Sequence, residues 1–451
     1  MVKDLTQGNP SKILWQFTMP MFISVIFQQL YNIADSIIVG NFAERGEDAL
    51  AAVGASYPIT MIFMAIAVGC NVGCAVMISQ LFGAKRYREM KTAVYTTLIA
   101  SLVISAVLTI LGEISSAGML RMINTPDNIF VDADVYLKVY IGGFLFLFLY
   151  NVVTGIFTSL GDSKTPLYFL IGSSLGNVAM DWLFVAVFHW DVAGVAWATF
   201  ICQGIACILA ILTLKKRLHE VVCEEKPEIF SMQMLRKIGA FAIPSVLQQS
   251  FVSVGNIFVQ NLINGFGSSV IAGYSAAIKI NTFAITCFST LGNAMSSFTA
   301  QNIGAGDTER VKKGLRTGLG MGFIIGIPFF FGCFFAGSSL IRLFMSEESG
   351  VALEVGTQFL KIVGPFYFII SMKLVTDGLL RGAGAMTSFM IATFSDLILR
   401  VALGYILAVP LKTTGIWLSW PIGWVIGTGL SLFFYAKGVW KISGKEPADE
   451  D

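Results

Sequence analysis

Twelve apolar runs follow one another along the chain, at 13–40, 51–81, 92–112, 135–160, 166–188, 192–214, 238–264, 270–300, 317–341, 355–380, 388–409 and 415–437. Each is about as long as the ~20 residues that carry a helix across a bilayer. Inside lipid the backbone must satisfy its own hydrogen bonds, so runs of this kind fold as helices and close off almost every other architecture. Only 13% of the residues are charged, about half the share a water-soluble domain carries. The chain therefore reads as one all-α, polytopic membrane protein with no soluble domain on an anchor.

The connections between runs alternate in charge. One set holds Lys85, Arg86, Arg88, Lys91, Lys164, Lys215, Lys216, Arg217, Arg236, Lys237, Arg310, Lys312, Lys313, Arg316 and Arg381. The other offers mainly Arg45, Arg121, Arg342 and Lys412 among acids such as Glu44, Asp48, Asp127 and Glu347. Basic loops stay on the cytoplasmic side, which places both termini there. The short polar start, Met1 to Lys12, runs straight into a full-length span and lacks the form of a cleaved signal. The charged stretch 215–237 falls at the midpoint and reads as a cytoplasmic linker between an N-terminal lobe, 1–214, and a C-terminal lobe, 238–451.

The two halves repeat one another. Pro20 matches Pro244, Gln80-Gly83-Ala84 matches Gln301-Gly304-Ala305, Tyr136-Leu137-Lys138 matches Phe359-Leu360-Lys361, and Gly155 and Gly161 match Gly378 and Gly384. With six spans per half, the second half begins on the same side as the first. The repeat implies two pseudo-symmetric six-helix bundles around a central cleft, a build suited to alternating access. Glycines at 314, 318, 322 and 326, and at 423 and 427, form stripes that let helices approach closely. Pro20 lies in the first span and is a candidate hinge.

Ionisable residues inside spans are costly and usually functional. In the first half Asp35 and Asp181 stand out. Asp35, Asp181 and Thr199 all fall roughly 10 Å below the outer surface when depth is counted at ~1.5 Å per residue. Asn177 lies one turn from Asp181 on the same helix face. Two carboxylates, an amide and a hydroxyl at one level form a nest that suits a proton or a small hard cation. Capping a helix end is the plainer use of each aspartate. The second half does not repeat the set, having Val259, Gly404 and Arg400 opposite Asp35, Asp181 and Asn177, and this asymmetry favours function over folding.

In the second half Lys279, Lys373, Asp377, Asp396 and Arg400 lie inside spans. The spacing predicts helix-local ion pairs Asp377–Arg381 and Asp396–Arg400, and leaves Lys279 as the residue expected to face the cleft. Gln28, Asn32, Asn256, Lys279, Asp377, Asp396 and Arg400 are the candidate cleft-lining groups. Catalysis has no support. The histidines number 2, His189 and His219, and sit at opposite helix ends, and no metal triad, Ser-His pair or phosphate loop is present. Cys70 and Cys74 share a face but read as packing. Near-neutral net charge leaves a nucleic-acid partner without support.

The segment "PMFISVIFQQLYNIADSIIVGNF", the loop "QLFGAKR", the pair "TSLGDSKTP" and "RGAGAMTS", and "GNVAMDWLFV" followed by "GVAWATF" together resemble the multidrug and toxic compound extrusion (MATE) family, in its DinF-like branch. The likeness covers essentially the whole chain. It implies a cation-coupling site formed by Asp35, Asn177, Asp181 and Thr199, with Na+ as a possible occupant, and a bending helix at Pro20. It also implies a monomeric bacterial or archaeal inner-membrane antiporter without a cofactor, which exports small amphipathic compounds in exchange for H+ or Na+. A basic residue in the cleft would suit anionic or zwitterionic cargo better than cations. The alternative is a flippase of a lipid-linked or anionic substrate on a related fold, which would need several cleft arginines.

Overall fold

A computed structural model describes residues 3–42, 46–123, 125–188, 190–223, 225–344 and 350–442, with the side chains of 35–42, 46–51, 191, 192 and 442 excepted. These residues are almost all helical, with no strand among them. The helices are α1 (Pro10–Phe42), α2 (Gly46–Gly83), α3 (Tyr87–Met122), α4 (Asp127–Gly142), α5 (Phe144–Ser159), α6 (Lys164–Trp182) and α7 (Asp191–Glu220) in the first half. They continue as α8 (Met232–Asn264), α9 (Ser268–Gly304), α10 (Thr308–Phe335), α11 (Gly337–Arg342), α12 (Gly350–Val363), α13 (Tyr367–Gly382), α14 (Met386–Lys437) and α15 (Val439–Ile442).

Among the described residues ten stretches are each long and apolar enough to cross a membrane, and α4 with α5, bent by 45° at Gly143, makes an eleventh. One of the ten, α14, has 52 residues and joins two helices across a kink at Lys412 (φ 51°, ψ −133°). That break falls in the gap expected between the last two spans, where Pro410 removes a backbone donor. Pro365 similarly marks a 3-10 turn, Gly364–Phe366, between α12 and α13. The expected linker 215–237 is helical at both ends, and only 221–231 lies between α7 and α8.

The helices gather into two compact units, Met1–Asp4 with Met19–Gln249, and Leu5–Thr18 with Ser250–Asp451. Each unit thus takes in a short segment from the other half of the sequence. In the second unit the Leu5 amide donates to Gln301 Oε1 at 2.9 Å, and Arg310 donates to the carbonyls of Leu5 at 3.0 Å and Gly8 at 2.6 Å. In the first unit the amides of Glu228 and Ser231 donate to the hydroxyls of Thr92 and Thr96, each at 3.1 Å. The start of α8 then runs against α2 so closely that a Cβ on Gly73 would lie 2.2 Å from Ala242 Cα. Within α1 the passage from one unit to the other comes just before Pro20.

The sequence repeat is a repeat of backbone geometry. Gly161 and Gly384 both adopt positive φ, 75° and 84°, at the turn after α5 and after α13. Lys85 (φ 59°) takes the left-handed position that Gly306 (φ 76°) takes in the second half, a conformation that costs a lysine more than a glycine. Gly155 faces Asn71, and Gly378 faces the backbone of Gly292. In each unit the helix after the bend, α5 or α13, buries apolar side chains of its own, Phe144, Phe148 and Phe157 in one and Tyr367, Leu379 and Leu380 in the other.

At Gly378 an added Cβ would sit 2.1 Å from the Gly292 carbonyl oxygen. Backbone cannot swing aside as a side chain can, so α9 and α13 must separate. Gly378→Ala is expected to cost about 1–3 kcal/mol, the range for overpacking a filled core. Gly320→Ala, where nothing lies within 4 Å, is the matched control. Thermal unfolding in detergent should show a lower midpoint for the first variant and no shift for the second; equal midpoints would mean the contact is not tight.

Candidate functional site

In the first unit α6 ends on Asn177 and Asp181, one turn apart, and α7 returns beside it carrying Thr199. Asp181 is fully buried and Asn177 is 3% exposed. With its nitrogen toward Tyr31, the Asn177 amide donates to Tyr31 Oη at 3.1 Å and to Asp181 Oδ2 at 2.9 Å, while its oxygen accepts from the Thr199 amide at 3.1 Å. Three of the four expected residues, or their backbone, therefore join in one network. Asp35 lies on α1 at a position whose side chain is outside the described residues. Tyr31 is one turn before it, so positions 31 and 35 share a helix face, and Tyr31 reaches α6.

Directly after Asp181 the helix widens into a π turn, Leu183–Val187, in which the Phe188 amide donates to Leu183 at 3.0 Å. Such turns are rare and cluster at functional sites. Here the extra residue rotates the end of the helix, so that Phe184 and Val185 are buried while Asp181 keeps its inward aim. A carboxylate held by an amide in an apolar shell has two chemical uses. It can take up a proton, or with neighbouring oxygens it can ligate a hard cation. Nothing in the sequence marks Tyr31 as part of this network except its four-residue spacing from Asp35.

The second unit gathers a different set. Lys373 on α13 is buried and donates to Asp377 Oδ2 at 2.7 Å, and its ammonium stands 3.7 Å from Asp396 Oδ2 on α14. Asp377 also accepts from Ser431 at its other oxygen and from Thr393 at 3.5 Å. The expected pairing is corrected: Asp377 bonds Lys373 and not Arg381, which donates instead to Asn293 Oδ1 at 2.7 Å. Asp396 likewise faces Lys373, and Arg400 donates to Asn256 Oδ1 at 3.3 Å while lying 4.3 Å from the ring centre of Trp420. Spacing along one helix offered the pairs; packing of α13 on α14 selects others. The glycines of the last span make room for them, since a Cβ on Gly427 would lie 2.6 Å from Lys373 Cε and one on Gly423 2.7 Å from Asp396 Oδ1.

Of the other candidate cleft residues, Gln28, Asn32 and Asn256 are exposed. Lys279 is exposed too, with its ammonium 5.5 Å from the Phe344 ring centre, a cation–π partner supplied from beyond α11. Pro20 sits within α1, and the Ser24 hydroxyl donates to its carbonyl at 3.0 Å. His189 falls outside the described residues. Among those residues, no group of three or more His, Cys, Asp or Glu side chains gathers as a metal site would.

The units differ in the sign of what they bury. Among the described residues, the buried charged side chains of the first unit are the acids Asp162 and Asp181. Those of the second are three cations, Lys373, Arg381 and Arg400, and two acids, Asp377 and Asp396.

Comparison with known proteins gives the frame for this geometry. The MatE family profile matches residues 20–183 and 244–406, one stretch in each half. A Bacillus subtilis (strain 168) protein named probable multidrug resistance protein YpnP is 29% identical over 440 residues, covering 97% of both chains. A Shewanella oneidensis protein named FAD transporter is 22% identical over 314 residues, 67% of this chain and 68% of that one. A solved structure of a MOP superfamily transporter from Pyrococcus furiosus superposes with a TM-score of 0.90 at 23% identity, over 98% of each chain, and is described by a binding pocket of reverse polarity.

Proposed function

This chain belongs to the MatE family, and from that premise we propose that it is a secondary antiporter exporting small amphipathic organic compounds in exchange for H+ or Na+. The family consists of transporters and not enzymes, and its relatives of many-span membrane type include proteins named for multidrug resistance and one named FAD transporter. The proposal adds the energy source and the cargo. Charge in the loops supports cytoplasmic termini, and the proposed working unit is the monomer.

The observation that carries this reading is the buried Asn177–Asp181 pair tied to Thr199 and Tyr31. A fully buried carboxylate held by an amide within a membrane span is costly to keep charged and suits an ion receptor. Loading it with H+ or Na+ lowers that cost. Tyr31 links that event to α1, and Pro20, which leaves one backbone carbonyl of α1 without its helical donor, supplies the point of bending. The ion and the solute then drive opposite steps because each binds one access state better than the other. Asp35, on the same face as Tyr31, is proposed as the fourth member of the set, as the resemblance to the DinF-like branch implies.

The test uses purified protein in sealed vesicles, with ethidium as solute and an imposed proton or sodium gradient applied separately. One gradient is expected to accelerate ethidium movement against its own concentration difference. If neither gradient does so, and dissipating both leaves the flux unchanged, the antiport reading fails.

A flippase for a lipid-linked pyrophosphate would need several arginines turned to its cargo. In the second unit Lys373 is taken up by two aspartates and Arg381 by Asn293. Arg381 also lies over a ring, Phe389 at 5.6 Å, but its amide partner Asn293 is half-buried, whereas Arg400 lies over Trp420 and donates to the exposed Asn256. One guanidinium fits a single anionic group, which favours the antiporter reading.

A further inference from the structure

Arg400 is 6% exposed. Among the described residues its guanidinium hydrogen-bonds the exposed Asn256 amide oxygen at 3.3 Å and lies over Trp420 at 4.3 Å, with Asp396 near enough to act on it electrostatically but not hydrogen-bonded to it. Its Nε is buried with no hydrogen-bond partner among the described residues. The nearest acid along the helix, Asp396, turns its Oδ2 to Lys373 and rests its Oδ1 against Gly423. With side chains in their usual ionisation, the described residues of this unit bury three cations and two acids. A buried positive charge left over in a low-dielectric interior is costly unless a counter-charge arrives.

We propose that Arg400, Asn256 and Trp420 form an anchoring subsite for the carboxylate of a planar aromatic solute. This inference rests on the proposed transport of small amphipathic compounds, and names the class of cargo. The chemistry fits at three points. An arginine edge pairs with a carboxylate through two parallel N–H bonds, stronger than the long neutral bond to Asn256 that it would displace. Nε and Nη2 lie on one edge of the planar fork, so the unpartnered donor and the weakly used one are neighbours. Trp420 fixes the guanidinium plane and extends an aromatic surface beside it. A single guanidinium, with Lys373 and Arg381 engaged elsewhere, suits one monoanion better than a phosphate chain.

The probes are 2-naphthoate and its neutral isostere 2-naphthamide, with binding followed by their fluorescence on the full chain in lipid nanodiscs. The wild type is expected to bind the acid about tenfold more tightly than the amide, the worth of one added charge-assisted contact. Arg400→Gln should erase that ratio, and Arg400→Lys should keep part of it, because charge survives while the fork is lost. Trp420→Leu should weaken both probes alike. Equal affinities for acid and amide in the wild type would overturn the subsite. So would an unchanged ratio in Arg400→Gln, or loss of both probes together in that variant, which would make the arginine a strut bridged through solvent to Asp396. Absence of gradient-driven ethidium flux with the acid preference intact would sink the antiport reading and leave this one standing.

Discussion

Asp181→Asn is expected to lower gradient-driven ethidium efflux by about 100-fold, the upper part of the range for coupling between two ligand sites. The substitution keeps the shape of the side chain. Asp181 is fully buried and receives the Asn177 amide at 2.9 Å, a bond that an asparagine oxygen can still accept. What disappears is the capacity to gain and lose a positive ion. The variant should therefore behave as one fixed in the loaded condition: solute exchange down its own gradient continues, while the imposed gradient no longer adds to it. That split separates loss of coupling from loss of folding or of solute binding. Adding Asp35→Asn should produce little further loss, since groups acting as one unit do not sum. Thr199→Val should do less, because the shorter Thr199 contact to Asn177 runs through the backbone amide at 3.1 Å, which valine retains, while the hydroxyl lies 3.4 Å from the Asn177 amide group. Efflux that stays coupled in the double aspartate variant would remove the ion site from the first unit altogether.

The readable parts of this molecule are those where a residue differs sharply from its surroundings. Asn177 and Asp181 stand out because an amide and an acid four apart in an apolar run have few uses other than a shared one. The gap at 410–414, where Lys412 breaks α14, was legible from the polar and proline residues that interrupt the apolar run, whereas the ends of α3, α7 and α8 run beyond the apolar stretches. The repeat was legible because it fixes turn geometry: Gly161 and Gly384 recur where φ is positive in both halves. The exchanged segments were not legible. Nothing in the composition of residues 5–18 and 228–249 marks the unit they join, and the close fit appears only in contacts such as those of Gly69 and Gly73, whose Cβ positions are filled by the backbone of α8. The pairing in the second unit was hidden by degeneracy. Asp377 has Lys373 four residues before it and Arg381 four after, and both spacings are equally good on an isolated helix. The choice is made by Asp396 and Ser431 arriving from α14, through the space left by Gly423 and Gly427. Glycine stripes that read as bare helix contact turn out to admit a lysine.

That lysine should be the most stability-critical charge in the second unit. Lys373→Met fills nearly the same volume beside Gly427 but leaves Asp377 and Asp396 buried without their shared cation. Removing one member of a buried ionic set costs about 3–5 kcal/mol, because the remaining charges stay desolvated and unpaired. A clear drop in the thermal midpoint of the detergent-purified protein, with reduced accumulation in the membrane, is the expected result. Adding Asp377→Asn and Asp396→Asn should recover most of it, since the two amides are neutral and Ser431 and Thr393 remain to bond the first of them. Recovery would identify charge, and not lost packing, as the source of the defect. The informative exception involves Arg400. Its Nε and Asp396 Oδ1 are both buried without partners among the described residues, and a small rotation of the guanidinium could bring them together once the ammonium is gone. A loss below about 1 kcal/mol, restored to full size when Arg400→Gln is added, would show that the arginine is free to change partners. That mobility is what an anchoring group for an incoming carboxylate requires, whereas a full loss in the single variant would show Arg400 held in place by Trp420.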